Sequence, residues 1–175
     1  MIEKPNFFLF TGGPGVGKTT LIRHLETLGE RVVEETHRAV IAEQAAAGNG
    51  VPWRDRAVYC ELCVRRDLAK FDANVQETDR VFFDRGTLDG FEPQWEAPAD
   101  LLQAAQARRY NRRVFVFPPW REIYETDAER RQDWPEAEAT FGRILKGLDR
   151  FDYEAVVVPI GTVEARVAFV LGEAV

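Results

Sequence analysis

Residues 12–19 read Gly-Gly-Pro-Gly-Val-Gly-Lys-Thr, the spacing G-x-x-x-x-G-K-[ST] of a phosphate-binding P-loop. The residue types fit that chemistry. Glycines let successive backbone N–H groups turn inward as an anion-binding nest. A helix starting at the loop adds its positive dipole end. Gly12, Gly13, Pro14, Gly15, Val16, Gly17, Lys18, Thr19 and Thr20 are therefore the expected nucleotide contacts. Lys18 has the length to reach the β- and γ-phosphates, and the Thr19 hydroxyl is an expected Mg²⁺ ligand. A second site is expected where the apolar run Val81-Phe82-Phe83 ends in Asp84-Arg85-Gly86. Asp84 at that place suits Mg²⁺ or its water shell. Arg85 offers a rigid fork of donors to phosphate, and Gly86 is expected to let the chain turn beside ligand. Glu34-Glu35 ends another short apolar run; it reads either as acid–base chemistry or as acidic caps before a helix.

These groups need a scaffold. Phe7 to Phe10 form an apolar run of strand length before the loop, and Leu21, Ile22, Leu25 and Leu28 follow it at helical spacing. Further strands are expected at 31–33, 81–84, 113–117 and 155–158. Helices are expected at 39–47, from Asp55 as cap to about 77, from Asp100 as cap to about 109, at 136 to about 148, and at 163–171. Val58 belongs to the expected apolar face of the second of these. Short apolar strands alternating with helices predict a three-layer α/β/α fold around a five-stranded parallel sheet. Each polar cluster follows a strand, where such sheets bind ligands. No repeat or linker divides the 175 residues, so one domain over 1–175 is expected.

Bulk properties narrow the classes. A 45% hydrophobic and 30% charged chain can build an ordinary globular core. A formal net charge of −6 argues against general nucleic-acid binding. No apolar run approaches a bilayer span, and the N-terminus lacks a signal pattern, so a cytoplasmic location is expected. Cys60 and Cys63 make C-x-x-C, but within a helical stretch. Only two histidines, His24 and His37, are present, so buried thiols are expected rather than a metal or redox pair.

Several longer stretches carry a family resemblance over almost the whole chain. They are residues 32–38 (Val-Val-Glu-Glu-Thr-His-Arg), 83–89 (Phe-Asp-Arg-Gly-Thr-Leu-Asp), 116–124 (Val-Phe-Pro-Pro-Trp-Arg-Glu-Ile-Tyr), 127–132 (Asp-Ala-Glu-Arg-Arg-Gln) and 158–167 (Val-Pro-Ile-Gly-Thr-Val-Glu-Ala-Arg-Val). With the P-loop, these resemble a small P-loop ATPase/kinase-like family. It includes the ribosylnicotinamide-kinase domain of bacterial NadR and is an AAA-type predicted ATPase group of nucleoside-kinase-like fold.

The resemblance implies roles. Glu35 matches the Glu that takes the proton from the substrate hydroxyl. Arg85 matches an Arg contacting the acceptor or transferred phosphate; Asp89, in the same loop, is a candidate for positioning substrate. Residues 120–134 match a lid whose arginines close over the triphosphate. Arg130 fits the family's Glu-Arg-x-Gln pattern and ranks above Arg131 and Arg121. Pro159, Gly161 and Thr162 match the loop that wraps the base through backbone groups. Lack of an N-K-x-D motif favours ATP over GTP. Trp53, Arg65 and Arg66 are candidates for the acceptor pocket or, equally, a core aromatic and exposed helix charges. The expected catalytic set is Lys18, Glu35, Asp84, Arg85 and Arg130. The expected activity is Mg²⁺-dependent phosphoryl transfer from ATP to a small hydroxylated, nucleoside-like metabolite. The competing expectation is an NTPase switch that hydrolyses slowly and is read by a protein or lipid partner.

Overall fold

The computed structural model describes residues 1–47, 51–92, 94–123 and 134–175. The chain begins with β1 (Ile2–Glu3), β2 (Phe7–Gly12), α1 (Lys18–Thr27), β3 (Arg31–Val33) and α2 (His37–Ala47). Next come α3 (Arg56–Ala73), β4 (Val81–Asp84), a 3-10 turn (Thr87–Gly90), α4 (Ala99–Gln106) and β5 (Arg108–Arg109). It ends with β6 (Arg113–Phe117), a second 3-10 turn (Arg121–Ile123), α5 (Trp134–Arg150), β7 (Glu154–Val157) and α6 (Val163–Glu173).

Every residue of β2 is buried, so both faces of this strand need a cover. Alternation supplies it. Phe8 and Phe10 join Phe82, Phe115, Leu21 and Leu25 of α1, and Val167 and Val170 of α6. Phe7 and Leu9 join Phe83, Val114, Val116, Phe71 of α3 and Leu148 of α5. The result is a five-stranded parallel sheet, order β3-β4-β2-β6-β7, between two helical layers. The Phe10 ring lies 5.3 Å from Phe82, 5.5 Å from Phe115 and 5.4 Å from Phe117, centroid to centroid. Strand register brings the polar loops together. Phe10 pairs with Asp84 on one side, and Gly12 pairs with Phe117 on the other. The central strand thus finishes level with β6 and two residues beyond β4, and their connecting loops share one edge.

Several boundaries differ from expectation. α2 starts at His37 and α5 at Trp134, both earlier than expected, and α3 stops at Ala73 rather than near 77. There Asn74 turns back, its amide donating to the Lys70 carbonyl and its oxygen accepting from Arg31. α4 ends at Gln106 instead of about 109, and its cap residue is Pro98, not Asp100. Arg108 and Arg109 leave the helix to pair with Ile2–Glu3. Their side chains account for it. Arg108 forks onto Asp72 at 2.7 and 2.8 Å, while Arg109 binds the Phe151 and Asp152 carbonyls at 2.6 and 2.9 Å. Val58, expected on the apolar face of α3, is 40% exposed. Asp55 does cap α3, accepting from the Val58 amide at 3.1 Å. Cys60 and Cys63 are free and buried between α2 and α3, and burial pushes both thiols up to about 12, so they stay protonated and unreactive. Among the described residues no helix is long and apolar enough to cross a membrane.

Candidate functional site

The glycine loop leaves β2 through Gly12, whose φ of 148° already disfavours a side chain. A Cβ there would also sit 2.8 Å from the Phe117 carbonyl oxygen, so the approach of β6 excludes one. Gly15 and Gly17 follow at φ 74° and 82°, left-handed positions that bend the backbone into a concave turn. Gly17 then serves as the N-cap residue of α1. Lys18 is 7% exposed and folds back over the loop, its Nζ donating to the Gly12 and Gly13 carbonyls at 3.0 and 2.9 Å. Burial, helped by nearby Arg85, lowers its pKa to about 7 against the opposing pull of Asp84, Glu35 and Asp89. An arriving polyanion would restore the ammonium form and draw Nζ toward itself.

Arg85 is the centre of the neighbouring wall. It is one of two non-glycine residues with positive φ among the described residues, at 65°. Its Nε donates to Glu35 at 3.0 Å and its Nη1 to Asp89 at 3.0 Å. Burial works against this cation, but Asp89, Glu35 and Asp84 together raise its pKa. A left-handed backbone at a bulky residue is strain that its surroundings must hold in place. Asp89 does much of the holding: it also accepts from the Thr11 hydroxyl at 2.5 Å and from the Gly86 amide at 3.1 Å. Gly86 does not have the role expected of it. Its φ is −165°, ordinary extended backbone, and a side chain is excluded by Leu9 and the Tyr110 hydroxyl, each 2.8 Å from a Cβ. The turning residue is Arg85.

Glu35 lies just after β3 with one oxygen on Arg85 and the other 3.4 Å from Arg38 Nε. Asp84 is 8% exposed, and its Oδ1 is buried with no hydrogen-bond partner. Burial raises its pKa, opposed chiefly by Lys18. Asp84, Thr19 and Glu35 line one cleft of about 360 Å³. A carboxylate and a hydroxyl lining one cleft are a fitting donor set for a hard divalent cation that takes its remaining ligands from phosphate and water.

A larger cavity of about 990 Å³ shares Glu35 with this cleft and is also lined by Arg85. The loop residues Gly12, Gly13 and Pro14 line it. So do residues that the sequence did not single out as site groups, His37, Arg56, Tyr59, Phe91, Glu92 and Trp95. Arg56 forks onto Glu92 at 2.7 and 2.5 Å, and the Phe91 and Trp95 rings stack 5.7 Å apart. His37 Nδ1 lies 2.9 Å from the Tyr59 hydroxyl, while its Nε2 is buried without a partner. Burial, with help from Arg85, lowers the His37 pKa to about 4, so the ring is neutral at pH 7. Aromatic and charged residues on helices usually mean core and solvated face, and nothing in their spacing marks these as exceptions. Trp53, Arg65 and Arg66 do not line the cavity. Trp53 is 69% exposed, Arg65 pairs with Glu61 one turn away, and Arg66 pairs with Glu43.

Two expected groups stand apart. Pro159, Gly161 and Thr162 line neither cavity, and the Thr162 hydroxyl caps α6, accepting from the Ala165 amide at 3.3 Å. Arg130 and Arg131 lie outside the described residues, as does most of the expected lid. Arg121 is described and exposed; its guanidinium stands 5.5 Å from the Trp134 ring centroid.

A family model described as an AAA domain matches residues 7–166. No curated protein matches the chain significantly. Among solved structures, thymidylate kinase from Ehrlichia chaffeensis is similar at 16% identity and a TM-score of 0.60, over 95% of this chain and 96% of its own. Deoxyadenosine kinase from M. mycoides aligns at 13% identity and 0.55, over 95% and 97%. Shikimate kinase from Aquifex aeolicus aligns at 13% and 0.54, over 95% and 94%. At these identities the likeness is one of fold.

Proposed function

The chain belongs to the AAA domain family, and from that premise we propose that it is a cytoplasmic, single-domain phosphotransferase, moving a phosphoryl group from ATP to a hydroxyl of a small, nucleoside-like metabolite. One observation carries this reading. One cavity of about 990 Å³ is lined both by Gly12, Gly13 and Pro14 and by Glu35, Arg85, Asp89 and Trp95, a volume that takes a small molecule beside the loop. A protein that only held and hydrolysed nucleotide would need no such room beside its phosphate loop. The similar folds include kinases of a nucleoside, a nucleotide and a small acid, which supports the same class. The nucleoside-like acceptor follows from the resemblance to the ribosylnicotinamide-kinase group.

In this reading the N–H groups of residues 12–19 cradle the β- and γ-phosphates, and Lys18 releases the Gly12 and Gly13 carbonyls to bind them. ATP is the expected donor, with GTP the other purine triphosphate that a backbone-reading loop at Pro159, Gly161 and Thr162 would admit. Thr19 and Asp84 would hold Mg²⁺, which supplies charge neutralisation at the phosphates. Glu35 takes the proton of the acceptor hydroxyl, and Arg85 offsets charge on the transferred group. Arg130 is assigned to the lid on the resemblance alone.

The test is ADP release measured with and without a panel of hydroxylated metabolites that includes nucleosides. Turnover is expected only when an acceptor is present. Slow hydrolysis indifferent to every acceptor would instead favour a nucleotide switch with a protein or lipid partner.

A further inference from the structure

Arg166 carries a buried charge that the chemistry above leaves unused. It lies on the first turn of α6, 4% exposed. Among the described residues no carboxylate pairs with it. Its Nη2 donates to the Val16 carbonyl at 3.1 Å, and its Nε is buried with no partner. The guanidinium carbon stands 4.9 Å from the Phe117 ring centroid and 5.6 Å from that of Trp120. A buried cation that no carboxylate of the described residues pairs with is costly, and a leucine or methionine would fill similar space without that cost. The cation is therefore best explained by what it touches.

What it touches is the back of the phosphate loop. The peptide joining Val16 to Gly17 is planar and trans, since no cis bond occurs among the described residues. In a trans peptide the C=O and the following N–H point in opposite directions. Arg166 draws the Val16 C=O toward itself, so the Gly17 N–H must point to the opposite side of the peptide, away from Arg166. Gly17 itself stands at φ 82°, where a peptide has no helical partner to fix its tilt. A cationic donor on the carbonyl also polarises the unit and strengthens its N–H as a donor.

We propose that Arg166 is a positioning residue for nucleotide phosphates, holding the Val16–Gly17 peptide so that the Gly17 N–H is aimed and polarised to bind a phosphate oxygen. The inference rests on the reading of residues 12–19 as the triphosphate site and adds the group that tensions it from behind. The ligand class is an inorganic or nucleoside polyphosphate, and the contribution is felt in polyphosphate affinity.

The experiment titrates wild type, Arg166→Met and Arg166→Lys with ATP and with inorganic tripolyphosphate by calorimetry. It also follows the Gly17 amide resonance in glycine-labelled protein. Arg166→Met is expected to weaken both ligands by about tenfold or more. Arg166→Lys, which keeps a cationic donor but loses the fork, should recover part of the loss. In the ligand-free Met variant the Gly17 amide should move upfield as its peptide loses polarisation, while amides of β7 stay in place. A folded Met variant that binds within about twofold of wild type, with Gly17 unmoved, overturns the proposal. Should the Met variant fail to fold, the Lys variant decides: a weaker affinity with a shifted Gly17 supports the proposal, and no change in either overturns it. Wild type that binds neither ligand would sink the phosphate-loop reading as well; normal wild-type binding with indifferent variants sinks this inference alone.

Discussion

Glu35 meets arginines on both of its oxygens, Arg85 at 3.0 Å and Arg38 at 3.4 Å. Each carboxylate oxygen has a second lone pair, so these contacts orient the group and still leave it able to accept a hydroxyl proton. Glu35→Gln keeps an oxygen for Arg85 and removes the base. Nucleotide affinity measured by calorimetry should hold, while acceptor-dependent turnover should fall by about 10²–10⁴-fold. Unchanged turnover would reduce Glu35 to a helix-capping residue. Lys18→Ala removes the cation that bridges the loop, and ATP affinity should fall by about tenfold or more. Lys18, Thr19, Asp84 and Arg85 could be named as candidates from the sequence because phosphate and magnesium chemistry calls for those types where a strand gives way to a loop or a helix start. His37, Tyr59 and Trp95 were not, because a helical aromatic that lines a chamber is spaced like one that fills a core. Arg166 was hidden for a related reason: it sits on a helix whose other buried residues are apolar, and its burial and its contact with Val16, which no spacing shows, separate it from a surface charge.

At the scale of elements, the loop after β4 is held by one side chain. Asp89 accepts from Thr11 at the end of β2, from Arg85 and from the Gly86 amide. It therefore fastens the 3-10 turn to the central strand and keeps Arg85 in its left-handed conformation. Asp89→Ala leaves a buried hydroxyl and part of a half-buried guanidinium unsatisfied. It should cost about 2–3 kcal/mol in urea unfolding, and it should lower turnover more than nucleotide affinity, because Arg85 lines the cavity proposed for the acceptor. An equal loss of both would mean that Asp89 serves the fold alone. The strands themselves were easy to see, since a doubly covered parallel sheet writes each as an apolar run such as Val81-Phe82-Phe83. The pairing of Arg108–Arg109 with Ile2–Glu3 was invisible. Two arginines carry no strand signal, and what pulls them from the helix is Asp72, the 151–152 carbonyls and Tyr153, all distant in sequence.

For the whole molecule, the pH dependence of stability turns on interior groups more than on the net charge of −6. Asp67, on α3, is 3% exposed and its Oδ2 lacks a partner. Burial raises its pKa from 3.8 to about 7; Thr36, which approaches without completing a hydrogen bond, Lys70 and Arg85 pull it back, and Asp89 adds to the rise. Between those values the unfolded chain has released this proton and the folded chain has kept it. Stability from Asp67 is thus fully present below about 3.8 and is lost as pH climbs toward about 7. His37 acts in the opposite sense over an overlapping window. Its folded value of about 4 lies below the ordinary 6.5, so the unfolded chain takes up more protons between them and stability rises with pH. The two trends offset each other in wild type, which hides both. Asp67→Asn removes one and exposes the other. The stability of the variant relative to wild type, from urea titrations at successive pH values, should climb from about pH 4 and level off above about pH 7, with a limiting slope of about 1.4 kcal/mol per pH unit. Variant and wild type should differ most at neutral and alkaline pH, where wild type must ionise Asp67 inside the fold. A difference that stays constant from pH 4 to 8 would mean that Asp67 is already ionised when folded, with its charge balanced by Lys70 and Arg85.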